Sequence, residues 1–143
     1  MKQSMSAAPA ASTTRASVPT ACAAADGLWA GIGRADITDY EAGPVNDPLL
    51  SKALVLRQGA TVVVLVTVDA VALGEIGRIP NDFLERLRAA VGAEPGLAEA
   101  RLVVNASHCH GVVCKDIVPQ TLEAIRTAWQ AMVPVRAGAG CGH

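Results

Sequence analysis

Two of the three histidines in this 143-residue chain lie within three residues of each other, in Ser107-His108-Cys109-His110-Gly111. An apolar run, Leu102 to Ala106, leads straight into them. At the i, i+2 spacing of an extended chain both imidazoles point to one side and Cys109 to the other. Imidazoles placed in this way can bind one Zn2+ jointly, or one can ligate while its neighbour handles a proton near the bound water. A metal there would bring the water's pKa toward about 7 and polarise a substrate carbonyl. Asp69 closes a second apolar run and is a candidate outer carboxylate that fixes a histidine tautomer. Ser107 and His110 face opposite ways in an extended strand, so a Ser/His dyad is disfavoured on geometry and Ser107 reads as a hydrogen-bonding support. The plainer alternative is a hydrogen-bonded turn at a strand end, with Asp69 as a cap.

The elements that must hold these residues can be read from periodicity and turn chemistry. Trp29 to Thr38 reads as a strand weakened by Gly31 and Gly33, followed by a loop rich in turn formers through Pro48. Ser51–Arg57 and Thr61–Val68 are β-branched runs separated by Gln58-Gly59-Ala60, which predicts a hairpin. The second run is almost wholly apolar, the pattern of a strand covered on both faces. Pro80-Asn81-Asp82 starts a helix with Asn81 as cap, Phe83, Leu84, Leu87 and Val91 on one face, and Gly92 as its stop. Leu102–Ala106 is a strand. Pro119 to about Met132 is a second helix, with Leu122, Ile125, Trp129 and Met132 on its apolar stripe. Pro134–Ala139 reads as a last strand. The order predicts an α/β fold: a mixed, largely parallel sheet with an antiparallel hairpin and crossover helices. Ligands of such sheets sit beyond the carboxyl ends of the strands, where Asp69, His108 and His110 fall.

Composition narrows the function classes. The chain is 51% hydrophobic and 17% charged, with net charge -1, and its mean hydropathy is +0.33. Disorder throughout is excluded, and twelve basic against thirteen acidic residues without a basic stripe argue against a nucleic-acid partner. Residues 1–25, rich in Ala, Ser, Thr and Pro, read as a flexible tail ahead of a partial α/β domain over 26–143. The tail lacks the continuous apolar stretch of a signal peptide, which points to a cytoplasmic protein, and the longest apolar run is too short for a transmembrane segment. Cys22, Cys109, Cys114 and Cys141 match no structural zinc spacing and read as thiols. Gly31-Ile-Gly33 is followed by Asp36 where a dinucleotide fingerprint requires its third glycine.

The run Gly31-Ile-Gly-Arg-Ala-Asp-Ile-Thr38, then Asp47-Pro-Leu and Lys52-Ala-Leu-Val-Leu56, the Val-rich strand ending at Asp69, and Asn105-Ala-Ser-His-Cys-His110 together resemble the amino-terminal domain of the neutral/alkaline, non-lysosomal ceramidases and their bacterial relatives. The resemblance covers about Trp29 to His143. It implies a zinc-dependent hydrolase in which a zinc-bound water attacks an N-acyl amide of a sphingoid lipid. By match to the family's segment, His108 is the zinc ligand and His110 the neighbour that supports the water or the developing oxyanion. Gly111-Val-Val-Cys114 replaces the family's Ser-Gly-Pro-Gly, which leaves the substrate open. The family's later ligands, a histidine, a glutamate and a tyrosine, fall outside this length, so the resemblance implies a fragment missing its carboxy-terminal region, inactive alone and with exposed apolar surface. Two other readings compete: an amidohydrolase barrel, against which the hairpin argues, and a small metal-binding or interaction module without catalysis, in which His108, Cys109, His110 and Cys114 hold a metal.

Overall fold

The computed structural model describes residues 27–141; the reading of residues 1–25 as a tail, Cys22 and the closing Gly142-His143 lie outside the described residues. The elements run β1 (Leu28–Asp36), β2 (Leu50–Gln58), β3 (Thr61–Val68), α1 (Phe83–Gly92), β4 (Arg101–Ala106), α2 (Val118–Gln130) and β5 (Val133–Pro134). This is the expected α/β order, including the hairpin. Gly59 takes φ +56 at its turn, and the register follows, with Gln58 opposite Thr61 and Ser51 opposite Val68. The five strands lie in the order β4-β3-β2-β1-β5.

Within that mixed sheet the balance differs from expectation. Only β3 and β4 pair in parallel, with α1 in the connection between them, while β2–β3, β1–β2 and β1–β5 are antiparallel. A short loop suffices between antiparallel neighbours, whereas a parallel pair needs a crossover of a dozen residues or more. The loop over 37–49 returns the chain antiparallel, which the turn-rich sequence did not distinguish from a crossover. The last strand is also shorter than the sequence implies: β5 holds two residues against Trp29 and Ala30, and Val135 adds one hydrogen bond to Leu28. The sheet is open, not a closed barrel.

Both helices cover one face. α2 lies across β1 and β2, with α1 beside it. The core between helices and sheet is aliphatic, with Val55, Val64, Val66 and Val68 from the sheet meeting Phe83 and Leu87 of α1 and Ile125 of α2, all buried. The buried stripe of α2 is not the large-residue stripe expected from sequence. It centres on Val118, Thr121, Ala124, Ile125 and Ala128, while Leu122, Trp129 and Met132 are partly buried at its margin. Small residues win because helix and strand approach closely: a Cβ on Gly31 would meet the Ala128 carbonyl oxygen at 1.9 Å, and one on Gly33 the Ala124 oxygen at 2.1 Å. The two glycines that weaken a strand locally are what let α2 dock.

The cap of α1 also differs. Asp82 is the residue preceding the helix, and Asn81 instead accepts the Glu75 amide through Oδ1 at 2.6 Å. Asn81 thus closes the irregular loop over 69–82.

The opposite face of the sheet is open among the described residues. Ile32 lies opposite Leu54, Leu54 opposite Leu65, and Leu65 level with Val103, so one register crosses four strands with aliphatic side chains. Ile32 is 75% exposed and Val103 54%. The expectation that β3 is covered on both faces is therefore met on the helix side only among the described residues. Strand periodicity reports which side chains are apolar and not which are covered.

Candidate functional site

The parallel pairing of β3 with β4 sets the site, because it brings two strand ends to the same edge, with Val68 level with Ala106. Beyond that level the chains stay tied: the Ser107 amide donates to the Val68 carbonyl at 2.9 Å and the Cys109 amide to the Ala70 carbonyl at 3.1 Å. On the other side, the Asp39 amide donates to Val112 and the Cys114 amide to Ile37, around a bridge between Thr38 and Val113. The histidine segment is thus clamped between residues 68–71 and 37–39.

His108 is not in the extended conformation assumed from sequence. Its φ is +61, a left-handed backbone that a non-glycine residue holds only when its surroundings fix it. The two imidazoles nonetheless come together, with ring centroids 5.0 Å apart and the rings edge to face at 86°. A local twist, not a strand pleat, puts them on one side. His108 Nδ1 lies 3.0 Å from the Val71 carbonyl oxygen. A carbonyl only accepts, so Nδ1 carries the hydrogen in that bond, which leaves Nε2 as the ring nitrogen not engaged by Val71. Both rings are exposed, while Cys109 packs partly buried against the core.

Asp69 does not supply the histidine's hydrogen bond; the Val71 backbone does. Its carboxylate instead accepts from Lys52 Nζ at 2.8 and 3.1 Å, from the Leu50 amide at 3.1 Å and from Ser107 Oγ at 3.0 Å. Burial alone would raise its pKa, but Lys52, the Leu50 amide and Ser107 together outweigh it and hold Asp69 below the usual carboxylate value. The Ser107 hydroxyl, by donating to Asp69, fastens the turn to it. Asp36 organises the neighbouring loop: the Thr38 amide donates to Oδ1 at 2.8 Å and Tyr40 Oη to Oδ2 at 2.6 Å, and the hydrogen bonds from Thr38 and Tyr40 hold its pKa down.

Two clefts meet at His110. The larger, about 570 Å³, is lined by residues of the 39–49 loop together with Asp69, Cys109 and His110. The smaller, about 350 Å³, is lined by Ala70, Val71, Ala72, Ile79 and Val113 with Arg78 and His110. Arg78 forms an ion pair with Asp39, which lines the larger cleft.

Sequence reasoning missed Lys52, Val71 and the Arg78–Asp39 pair. Lys52 was within reach, because the hairpin register that puts Leu50 beside Asp69 puts Lys52 diagonally next to it. Val71 acts through its backbone and Arg78 sits in a loop without periodicity, so neither carries a local signal.

As to metal, the two imidazoles are suited to part of a coordination sphere. A catalytic zinc takes three protein ligands, and among the described residues no group of three or more His, Cys, Asp or Glu side chains is placed to hold an ion. Cys114 does not join the histidines; its Sγ donates to the Thr38 carbonyl at 3.2 Å. That geometry weighs against a metal held structurally by His108, Cys109, His110 and Cys114.

Fold and site thus define a mixed α/β layer that presents a clamped histidine pair, flanked by two clefts, at the carboxyl ends of parallel strands. No protein-family model matches the chain, and no curated protein matches its sequence. Among solved structures, a ceramidase complexed with C2 has a similar fold, with a TM-score of 0.59 and 18% sequence identity; the alignment covers 76% of this chain and 22% of that one. The chain therefore spans less than a quarter of the ceramidase it matches. No helix among the described residues is long and apolar enough to cross a membrane.

Proposed function

We propose that this chain carries part of the active site of a zinc-dependent hydrolase that cleaves an N-acyl amide of the ceramide type. The observation that carries this reading is the disposition of His108. A strained backbone, a hydrogen bond from Nδ1 to Val71 and anchoring on both flanks point to a ring held for a purpose, with Nε2 left to bind. The ceramidase-like fold supports it. In this reading His108 is a metal ligand, His110 is the polar neighbour beside the scissile amide, and Asp69 with Ser107 keeps the turn between them in place. Zinc at such a position supplies Lewis acidity toward a carbonyl and toward water.

The remaining ligands would come from outside residues 27–141, in a carboxy-terminal region of a longer polypeptide. The 143-residue chain should therefore bind zinc weakly and release no fatty acid from an N-acyl sphingoid lipid. A product extended by a contiguous reading frame carrying later His, Glu and Tyr ligands should hold zinc stoichiometrically and lose it in His108→Ala. Unchanged zinc content in that variant would contradict the ligand assignment, and fast turnover by the 143-residue chain would contradict the divided site.

A further inference from the structure

The two clefts that meet at His110 differ in chemistry. Ala70, Val71, Ala72, Ile79 and Val113 make the smaller one aliphatic, and Arg78 brings a cation to it. The larger one carries the carboxylates of Asp39, Asp47 and Asp69 with the amide of Asn46. The Arg78–Asp39 ion pair links the two, its members lining opposite clefts. Its side chains are 41% and 19% exposed, so the Arg78 end of the pair meets solvent and can exchange partners, while the Asp39 end is held closer to the protein.

Amide hydrolysis generates one charge of each sign. Water adds across the C–N bond: the carbonyl carbon gains oxygen, the C–N bond breaks, and the nitrogen takes up protons, so a neutral amide leaves as a carboxylate and an ammonium ion. Resting on the hydrolase reading, we propose that Arg78 and Asp39 are the product-side anchors of this site. The smaller cleft takes the acyl half, its carboxylate on Arg78, and the larger takes the amine half, its ammonium on Asp39 and its hydroxyls on Asn46 and Asp47. His110, shared by both clefts, then stands at the bond that breaks. The assignment makes acyl-chain bulk, and not amine size, the quantity this part of the site limits.

The two halves can be probed separately by amide NMR titration of the 143-residue chain, without metal or turnover, using octanoate and 2-aminopropane-1,3-diol. Octanoate should shift Ala72, Ile79 and Val113, and the amino-diol Asn46 and Asp47. Losing one charge-assisted contact should weaken binding about tenfold: Arg78→Gln for octanoate alone, Asp39→Asn for the amino-diol alone. Arg78→Lys keeps the charge and should retain most octanoate binding, and Ala72→Leu should exclude octanoate while admitting acetate. Octanoate mapping to the larger cleft or to the open sheet face, or binding indifferent to Arg78→Gln, overturns the assignment. Failure of hydrolysis in an extended, zinc-loaded product with this polarity intact would count against the hydrolase reading alone; hydrolysis with the polarity reversed would count against the anchors alone.

Discussion

Asp69 takes contacts from β2 and from the turn after β4, so one carboxylate fastens the hairpin to the histidine segment. Replacing it by Asn keeps the shape but deprives Lys52 of its counter-charge and Ser107 of a strong acceptor. Asp69→Asn should cost about 1–2 kcal/mol in urea unfolding. Acid should act in the same direction. Because its folded pKa is depressed, the ionised form contributes its stability in full above the unfolded value near about 4, and that contribution is lost as pH falls through the lower folded value. Asp36, Glu94 and Asp116 shift the same way. Urea midpoints followed from neutral pH downward should decline below about pH 4, less steeply in Asp69→Asn; identical profiles would show that Asp69 is not part of the acid response.

At the scale of the elements, the contact between β1 and α2 decides the helix side of the fold. With Ala128 and Ala124 carbonyls facing Gly31 and Gly33, even one added methyl group must displace backbone. Gly31→Ala should therefore destabilise by about 3 kcal/mol, near the upper end for overpacking. Gly92→Ala is the internal control: nothing lies within 4 Å of its added Cβ, and a better helix former at the end of α1 should be neutral or stabilising. Circular dichroism melts of the two variants compare the effects, and a Gly31→Ala melt like that of the unsubstituted chain would mean that α2 does not dock as closely as described. The hairpin was legible because Gly59 marks its turn, although Gln58, which the sequence placed in the turn, pairs with Thr61 in the ladder. The buried stripe of α2 was not, because helical periodicity favours large residues and here the facing glycines select small ones.

At the scale of the whole molecule, the described residues form two layers, and the sheet face away from the helices is apolar and exposed among them. The row Ile32, Leu54, Leu65 and Val103 is flanked by Arg34 and Lys52 on one side and Arg101 on the other, so the rim of the open face is basic and its centre aliphatic. Such a surface associates or binds apolar dyes when nothing covers it. The 143-residue chain should bind an anilinonaphthalene dye and sediment with a mass that rises with concentration, and Leu65→Thr with Val103→Thr should reduce both without changing the helix-side core. A monomeric chain that leaves the dye dark would show that the face is not adhesive.

The sequence by itself determined the α/β class, the hairpin, the approximate span of both helices, and the presence of two imidazoles and a carboxylate at strand ends. These follow from turn chemistry and side-chain periodicity, which act over a few residues. Tertiary structure decided that, among the described residues, three of four strand pairings are antiparallel and β3 is covered on one face only, and that α2 packs through its alanines. It also decided the site's wiring. His108 is held by a carbonyl 37 residues earlier in the chain, and Arg78 pairs with an aspartate 39 residues away. Contacts of that reach depend on how whole layers settle against each other, and the types of residues involved do not announce their partners.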